Sequence, residues 1–230
     1  MRLIVLAAGK GSRMEALGKD NPKCVLKIQK TTIIERLINQ FKKYGVNNIS
    51  IVVGYKSEKI KKIIGNNYNY IFYENYKNTN NLHTLWHARN EIEEETIITF
   101  ADLVVDDEII NKIVSDKNNF SVLVDSSGLR ENTMYISHYN NQLRSISSTP
   151  KSEATGNFIG ISKLKLNYKK QFIESMSLLL NKSSNYYYTM ALNEMISRSL
   201  KINTIDIKGY FWTEIDTPSE YKSLLLKFKK

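Results

Sequence analysis

Residues 1–14, MRLIVLAAGKGSRM, join a short apolar run to a turn that is rich in glycine and basic residues. The run at 2–8 is continuous rather than alternating, which is typical of a strand covered by helices on both faces. Gly9 and Gly11 permit backbone conformations closed to other residues, and they expose N–H groups that can face a phosphate. A secretory signal, a phosphate-binding turn and an ordinary tight turn all begin in this way, and the rest of the sequence decides between them.

Length and composition favour a single globular domain. The chain has 230 residues, of which 42% are apolar, and this is enough for a sizeable core. No stretch approaches the roughly 20 apolar residues of a membrane span, and the run at 3–8 is shorter than the ~7–15 residues of a signal-peptide core. The single cysteine, Cys24, cannot form an internal disulfide. We therefore expect a cytoplasmic protein with no membrane partner.

The net charge is +10, from 33 Lys and Arg against 23 Asp and Glu. Such a balance is compatible with an anionic ligand or with nucleic acid. The lysines are scattered along the chain, however, and no nucleic-acid-binding motif is present. We interpret the charge as a solvated basic surface and expect no nucleic-acid partner. A non-enzymatic nucleic-acid or effector-binding module stays an alternative, which a salt-dependent DNA shift assay would identify.

Strands and helices alternate along the first 125 residues. Apolar residues have helical spacing within 33–41, directly after Thr31 and Thr32, either of which can cap a helix. Strands are predicted in NISIVVG, YNYIFYE, TIITFA and NFSVLVD, with a helix between each pair. This order indicates a mostly parallel sheet with helices on both faces.

The pattern changes after residue 125. The segment NTMYISHYNNQLRSISS predicts a hairpin that turns at Asn140 and Asn141. Another strand (GNFIGISKL), two helices at about 167–180 and 187–198, two short strands and a last helix (PSEYKSLLLKF) follow. No linker or repeat interrupts the chain. We therefore predict one α/β domain over 1–230, with a Rossmann-like, mostly parallel mixed sheet sandwiched by helices and a small antiparallel flap.

Two known phosphate-binding motifs do not fit the first turn. A Walker A loop, GxxxxGK[ST], is absent, and the third glycine of a dinucleotide fingerprint is replaced by Met14. The turn nevertheless lies after a buried strand, where open parallel sheets bind ligands. Arg13 offers a planar fork to phosphate oxygens, and Lys23, in the later NPKC segment, offers a mobile point charge. These two residues favour a phosphate-binding turn over a plain one.

LAAGKGSRM followed by NPKC resembles the signature of the nucleotidyltransferases that couple NTPs to sugar phosphates and related alcohol phosphates. The segments TNNLHTLWHA, TFADLVVD, GNFIGISKL and WTEIDTPSEY fit the same family in the same order. NNLHTL and FIGISKL are most similar to the bacterial choline-phosphate and aminoalkylphosphonate cytidylyltransferase branch. The resemblance implies a GT-A-like nucleotidyltransferase fold, in which 1–125 bind the nucleotide and 126–230 bind the acceptor and complete a metal site.

Two aspartates follow predicted strands that are far apart in the sequence. Asp102 follows TIITFA, and Asp216 follows WTEI. Two carboxylates brought to ~4 Å repel by about 4 kcal/mol at an effective dielectric constant near 20, so such a pair normally holds a cation. The resemblance implies that this cation is Mg²⁺ on the α-phosphate side of the nucleotide. Helix capping by either aspartate is the alternative, although Thr217 could cap the last helix instead.

The resemblance also implies catalytic, nucleotide-binding and acceptor-binding residues. Catalysis would depend on Arg13, Lys23, Asp102 and Asp216. The amides of Asn80 and Asn81 carry a donor and an acceptor, as the edge of cytosine does. The full nucleotide-binding set is Leu6, Ala7, Ala8, Gly9, Gly11, Ser12, Arg13, Lys23, Asn80, Asn81 and Thr84. The acceptor-binding set is Glu153, Gly156, Asn157, Trp212 and Glu214. The resemblance implies the first three, whereas Trp212 and Glu214 are chosen because an aromatic face and a carboxylate suit an ammonium group. A buried apolar strand would look much the same, and Glu214 could instead reach the metal.

We therefore expect an Mg²⁺-dependent cytidylyltransferase that uses CTP, or another NTP, and a small phosphorylated or phosphonate metabolite such as phosphocholine. The product pair would be a CMP-activated metabolite and pyrophosphate. A sugar-1-phosphate or inositol-phosphate nucleotidyltransferase is one alternative, and a nucleotide-sugar-dependent glycosyltransferase is another. A homodimer is compatible with the sequence.

Overall fold

Strands and helices alternate along the chain, which the structure, a computed structural model, describes at residues 1–14, 17 and 21–229. The strands are β1 (Arg2–Ala7), β2 (Lys27–Ile28), β3 (Thr31–Thr32), β4 (Asn48–Val53), β5 (Asn69–Phe72), β6 (Glu95–Phe100), β7 (Leu103–Val105), β8 (Phe120–Asp125), β9 (Met134–Tyr139), β10 (Gln142–Ser147), β11 (Gly156–Lys165), β12 (Asn203–Asp206) and β13 (Trp212–Glu214).

The helices lie between these strands, as the apolar spacing predicts. The α-helices are α1 (Ile33–Lys43), α2 (Ser57–Ile64), α3 (Asn81–His87), α4 (Asp107–Ser115), α5 (Leu166–Leu180), α6 (Thr189–Ser197) and α7 (Pro218–Lys227). Thr32 caps α1 in a reciprocal pair with Glu35, which confirms one of the two predicted caps. None of the described helices has both the length and the apolar character that a bilayer span requires.

The central sheet is mixed. Among the described residues, nine strands pair in the order β5-β4-β1-β6-β11-β8-β12-β10-β9. β5, β4, β1 and β6 are parallel, as predicted for the first 125 residues. β11 runs antiparallel between β6 and β8, so the sheet as a whole is less parallel than the sequence indicates. The strand order reverses at β1, since β4 lies on one side and β6 on the other, and a ligand cleft is expected there.

The predicted hairpin is confirmed as β9 and β10. Asn140 and Asn141 both have left-handed backbone angles, with φ of 48° and 56°, as a tight two-residue hairpin turn requires. β9 also pairs with β11, and β10 pairs with β12. The hairpin therefore extends the main sheet rather than forming a separate flap.

Helices cover both faces of the sheet. Leu3 and Val5 point into a core shared with α1, α2 and α4, whereas Ile4 and Leu6 point into a second core shared with α3, α5 and α6. The side chains of β1 point alternately to the two faces of the sheet, which accounts for this division. Both faces are covered by helices, so Leu3 to Ala7 are all buried. The predicted helix-sheet-helix sandwich is confirmed.

Gly160 in β11 provides a test of this packing. Its φ is +79°, and a Cβ there would lie 2.7 Å from Cδ2 of Phe100 and 3.1 Å from Cδ1 of Leu103. Gly160→Ala is expected to lower the free energy of unfolding by about 2–4 kcal/mol, because overpacking adds to the left-handed strain. Urea unfolding at pH 7 measures the change. Gly45→Ala is the matched control, since Gly45 has φ +84° with open space around it. An equal loss in both variants would contradict the steric argument.

Candidate active site

A cleft of about 260 Å³ opens beside the carboxyl ends of β1 and β6, where the strand order reverses. Every residue that the sequence predicts for nucleotide or metal binding lines this cleft, together with one predicted acceptor-binding residue. They are Leu6, Ala7, Ala8, Gly9, Gly11, Ser12, Arg13, Lys23, Asn80, Asn81, Thr84, Asp102, Glu214 and Asp216. The fold brings these residues to one cleft, whereas the role of each residue stays a prediction.

The first turn is anchored by a buried methionine. The N–H of Met14 donates to the carbonyl of Gly11 at 3.0 Å, and Gly11 has a φ of +62°. Met14 packs in a small third core with Ile215. Because Arg13 precedes Met14 and Asp216 follows Ile215, this packing brings the two functional side chains together. Nη2 of Arg13 lies 2.9 Å from Oδ2 of Asp216.

A short two-stranded ladder brings Asp102 and Asp216 together. β7 pairs antiparallel with β13, with Glu214 opposite Leu103. The ladder continues for one step, because the N–H of Ile215 donates to the carbonyl of Asp102 at 3.1 Å. The two aspartates therefore flank the same end of the ladder, although they are far apart in the sequence.

The Asp216 carboxylate is not used as a helix cap. The hydroxyl of Thr217 caps α7 by accepting from the N–H of Glu220, with Pro218 in the first turn. Oε2 of Glu220 in turn accepts from the N–H groups of Asp216 and Thr217, each at 2.8 Å. The backbone of Asp216 is thus fixed while its carboxylate faces the cleft.

Lys23 lies between the two aspartates. Its ammonium contacts Oδ2 of Asp102 and lies 2.7 Å from Oδ1 of Asp216. The lysine side chain is 22% exposed, and the aspartate side chains are 11% and 9% exposed. Burial alone would lower the pKa of Lys23, but the carboxylates of Asp102 and Asp216 raise it further than burial lowers it. The ammonium is therefore charged at neutral pH.

Two residues close to Lys23, Asp102 and Asp216 have raised pKa values. Burial in the cleft wall raises the pKa of Glu214 well above its ordinary value, and the charges of Asp102 and Asp216 raise it further. Burial, with a contribution from Asp102, raises the pKa of the Cys24 thiol to about 12. The thiol is therefore neutral near pH 7 and does not act as a nucleophile.

The donor set fits a divalent cation that shares its ligands with a substrate. Oδ1 of Asp102 is buried and has no hydrogen-bond partner among the described residues. Within 1–14, 17 and 21–229, no group of three acidic, histidine or cysteine side chains forms a complete metal-binding set. Mg²⁺ usually takes one or two protein carboxylates and completes its shell with water and substrate phosphates. Asp102 and Asp216 meet that description.

The start of α3 forms the opposite wall of the cleft. The side-chain oxygen of Asn80 accepts from the N–H of Asn81 at 2.8 Å, and that of Asn81 accepts from the N–H of Tyr188 at 2.7 Å. In the described part of the chain, no hydrogen-bond partner is found for the side-chain N–H groups of either residue. These N–H groups are the edge that Asn80 and Asn81 can present to a base.

Sequence reasoning missed two tyrosines of the cleft. Tyr76 follows β5, and its ring covers Gly54 so closely that a Cβ there would lie 2.8 Å from ring atoms. Tyr187 enters from the segment between α5 and α6. Tyr76 lies just after a strand end, which is a usable signal, whereas Tyr187 gave none because its position depends on how that segment packs on α3. The other unpredicted lining residues are Pro22, Cys24, Thr79, Phe100 and Ala101.

The structure does not bring the other predicted acceptor-binding residues into the cleft. Glu153 is exposed and lines a separate shallow depression beside β9 and β10. Gly156 packs against the backbone of Asp125, where a Cβ would lie 2.5 Å from the carbonyl oxygen. Asn157 is fully buried, and Trp212 is 1% exposed. Strand pairing at β11 and β13 leaves Asn157 and Trp212 buried, and of the predicted acceptor set only Glu214 lines the cleft.

A buried network around Asp125 fixes the indole ring of Trp212. Nε1 of Trp212 donates to Oδ2 of Asp125 at 2.7 Å, and the N–H and hydroxyl of Ser127 donate to Oδ1 at 2.9 and 2.6 Å. Burial would raise the pKa of Asp125, but the hydrogen bonds from Ser127 and Trp212 and the charge of Arg130 together hold it below its ordinary value of 3.8. The ionised carboxylate is the form that this network favours.

Asp125 is therefore expected to make stability depend on pH. Its contribution is complete above the ordinary carboxyl pKa and is lost as the pH falls through the lower folded-state pKa. Asp125→Asn should lower the free energy of unfolding by about 1–3 kcal/mol at pH 7, because an amide replaces an acceptor that receives several donors. The difference should shrink at pH 3. Urea unfolding at both pH values measures it, and a difference that does not change with pH would exclude the ionised carboxylate as the cause.

Comparison with known proteins agrees with this geometry. The family model described as the MobA-like NTP transferase domain matches residues 3–155, which is more than half of the chain. The CTP:phosphoglutamine cytidylyltransferase of Campylobacter jejuni is 27% identical over 96% of this chain and 97% of its own length. The 2-aminoethylphosphonate cytidylyltransferase of Lancefieldella rimae is 37% identical over 46% of this chain and 45% of its own length.

A solved structure has the same fold. The CTP:phosphocholine cytidylyltransferase of Streptococcus pneumoniae superposes with a TM-score of 0.82 at 20% identity, over 98% of each chain. This likeness confirms the nucleotidyltransferase fold that the sequence predicts. The chain therefore belongs to the family defined by the MobA-like NTP transferase domain, and it is a nucleotidyltransferase.

Proposed function

We propose that this enzyme transfers CMP from CTP to a phosphate or phosphonate oxygen of a small metabolite, releases pyrophosphate, and depends on Mg²⁺. One observation carries the proposal: the Lys23 ammonium lies between Asp102 and Asp216 in the cleft that the first turn lines. The relatives named above support the choice of substrates, because their names share CTP or cytidylyl transfer and differ in the acceptor. We therefore propose the nucleotide by name and the acceptor by class.

The reaction needs positioning and charge neutralisation more than covalent help. An ionised oxygen of the acceptor attacks the α-phosphorus of CTP, and the bond from the α-phosphorus to the bridging oxygen breaks. Pyrophosphate leaves with that electron pair, in line with the attack. A phosphate or phosphonate oxygen is already ionised near pH 7, so no protein group has to remove a proton.

The basic residues neutralise the charge that this step moves. Arg13 and the amides within 8–11 hold the β- and γ-phosphates, which become the leaving group. Lys23 holds the oxygens of the α-phosphate and the acceptor, where charge is concentrated during transfer. Arg13 and Lys23 both contact the Asp216 carboxylate in this structure. A bound triphosphate would replace that carboxylate as the anionic partner of both side chains.

Asp102 and Asp216 would hold the Mg²⁺ ion, and the phosphates of CTP would complete its ligands. When bound, the ion supplies further neutralisation of phosphate charge. Asn80, Asn81 and Thr84 would read the base, since an N–H donor suits the acceptor atoms on the pairing edge of cytosine.

Several finer points stay predictions. These are the division of labour between 1–125 and 126–230, the homodimer and the cytoplasmic location. A sugar-1-phosphate or inositol-phosphate acceptor is the alternative within the same chemistry. The family match favours pyrophosphate-releasing transfer over a glycosyltransferase reaction.

Pyrophosphate release tests the proposal. CTP, UTP, ATP and GTP are each offered with phosphocholine, 2-aminoethylphosphonate, O-phosphoserine, glucose 1-phosphate and inositol 1-phosphate, and with choline as an acceptor without phosphate, with Mg²⁺ and with EDTA. We expect release with CTP, only with Mg²⁺ and only with a phosphate- or phosphonate-bearing acceptor. Preference for another NTP would overturn the choice of CTP. Release that persists in EDTA would overturn the Mg²⁺ dependence.

A further inference from the structure

A second, smaller cavity adjoins the cleft. Its volume is about 70 Å³, which is roughly twice the volume that one water molecule occupies in the liquid. Glu214 and Asp216 line both the cleft and this cavity, so the two spaces adjoin at these two residues. Arg130, Glu131 and Trp212 line this cavity but not the cleft, and we call this part of the lining the far side.

Arg130 is held rigidly at this far side. Its Nη1 donates to the carbonyl of Trp212 at 2.9 Å, and its Nη2 lies 3.2 Å from Oδ2 of Asp125. The guanidinium carbon lies 4.4 Å from the centre of the Trp212 ring, a stacked cation–π arrangement. Each of the two contacts engages one terminal nitrogen of a group with five N–H donors, and the side chain is 42% exposed. The guanidinium is therefore fixed in orientation and retains N–H groups that these two contacts do not use, on a partly exposed side chain that lines the cavity.

The backbone that carries Arg130 is fixed by a buried amide. Oδ1 of Asn157 accepts from the N–H of Arg130 at 2.9 Å, and Nδ2 of Asn157 donates to the carbonyl of Gly128 at 2.6 Å. Asn157 and Trp212, which were both predicted to bind the acceptor, both contact Arg130 and fix its position. A guanidinium that is already immobilised loses little further entropy when it binds a ligand.

The position of Arg130 relative to the carboxylates indicates which part of a ligand it would meet. Arg130 lines the smaller cavity and not the cleft, whereas Asp216 lines both. An acceptor whose phosphate lies at the transfer centre and whose other end enters the smaller cavity would therefore approach Arg130 with the end that does not react.

We infer that the acceptor carries an amino-acid-like end and that Arg130 binds its carboxylate. This inference rests on the proposed function. A planar guanidinium matches a carboxylate in a two-point contact. Glu131 lines the same cavity and supplies a carboxylate for the neighbouring ammonium. The cavity thus presents both signs of charge, and an acceptor end with both signs complements it. Arg130 is an acceptor-binding residue that sets specificity.

Matched pairs of compounds test this inference. O-phosphoserine and phosphoethanolamine differ only by a carboxylate, as do 2-amino-4-phosphonobutanoate and 3-aminopropylphosphonate. Binding of each is measured by titration calorimetry with the whole chain, Mg²⁺ and α,β-methylene CTP, which cannot transfer its CMP. We expect the carboxylate-bearing member of at least one pair to bind at least about tenfold more tightly, as expected for a lost charge-assisted contact.

Arg130→Met should remove this preference and leave the affinity for α,β-methylene CTP unchanged. If Arg130 had only a structural role, its loss would alter that affinity as well. Arg130→Lys should restore part of the preference, since it returns the charge without the planar fork. Arg144→Met, which removes an exposed arginine from β10, is the control and should retain the preference.

Each outcome bears on the inference. Equal or weaker binding of the carboxylate-bearing members, binding of none of the four compounds, or a preference that survives Arg130→Met would overturn it. Pyrophosphate release from CTP with an acceptor that lacks a carboxylate would leave the proposed function standing while the inference fails. If binding is selective for a carboxylate and depends on Arg130, but no pyrophosphate is released, the inference stands while the proposed function fails.

Discussion

Lys23→Ala is expected to lower kcat by about a hundredfold to a thousandfold or more, as found when one preorganised electrostatic donor is removed from an active site. The physical reason is that the ammonium is the positive charge shared by Asp102 and Asp216, at the position proposed for the α-phosphate. Pyrophosphate release at saturating CTP and acceptor measures the loss.

The control for this variant is Lys27→Ala. Lys27 is exposed on β2, so its removal changes the net charge equally and should leave kcat unchanged. Lys23→Arg should recover only part of the activity, because a planar guanidinium does not replace a compact point charge. Retention of wild-type kcat in Lys23→Ala, with circular dichroism showing a folded protein, would refute the role proposed for this lysine.

Asp216→Asn is expected to lower kcat by about a hundredfold or more and to raise the Mg²⁺ concentration needed for half-maximal activity. The amide preserves the size of the side chain and leaves the Thr217 cap of α7 in place. It removes one of the two carboxylates proposed to hold the ion, and neutral oxygen ligands attract Mg²⁺ less strongly. Pyrophosphate release over a Mg²⁺ titration measures both effects.

Asp107→Asn is the matched control, since Asp107 is an acidic residue at the start of α4 that pairs with Lys43 outside the cleft. It should reproduce the wild-type Mg²⁺ curve. If Asp216→Asn reduced kcat but kept the wild-type Mg²⁺ dependence, Asp216 would act through Lys23 and Arg13 alone, and its proposed role as a metal ligand would be wrong.

Local sequence signals predicted most of the fold. The continuous apolar run of β1, the Thr32 cap and the Asn140 and Asn141 turn each depend on residues close together in the chain. The mixed character of the sheet was underestimated because β11 pairs with β6 and β8, and no local pattern records which strands become neighbours.

The site was predictable in part for the same reason. The first turn and Lys23 carry recognisable residue types, whereas the meeting of Asp102 with Asp216 depends on the β7–β13 ladder and was expected only from family resemblance. Arg130 was missed because its importance comes from tertiary contacts with Trp212 and Asp125. Asn157 and Trp212 were recognised as significant, but the structure buries both and places neither in the cleft, so their direct role in acceptor binding stays a prediction.

The placement of Lys23 has a consequence for how the protein reaches its folded state. Two like charges at one ladder end would oppose the closing of that ladder in a newly made chain, and the Lys23 ammonium supplies the counter-ion from within the protein. The acidic pair can therefore assemble before any dissolved ion or nucleotide arrives. A chelator should consequently stop turnover while leaving the melting temperature unchanged, because the protein carries its own structural cation.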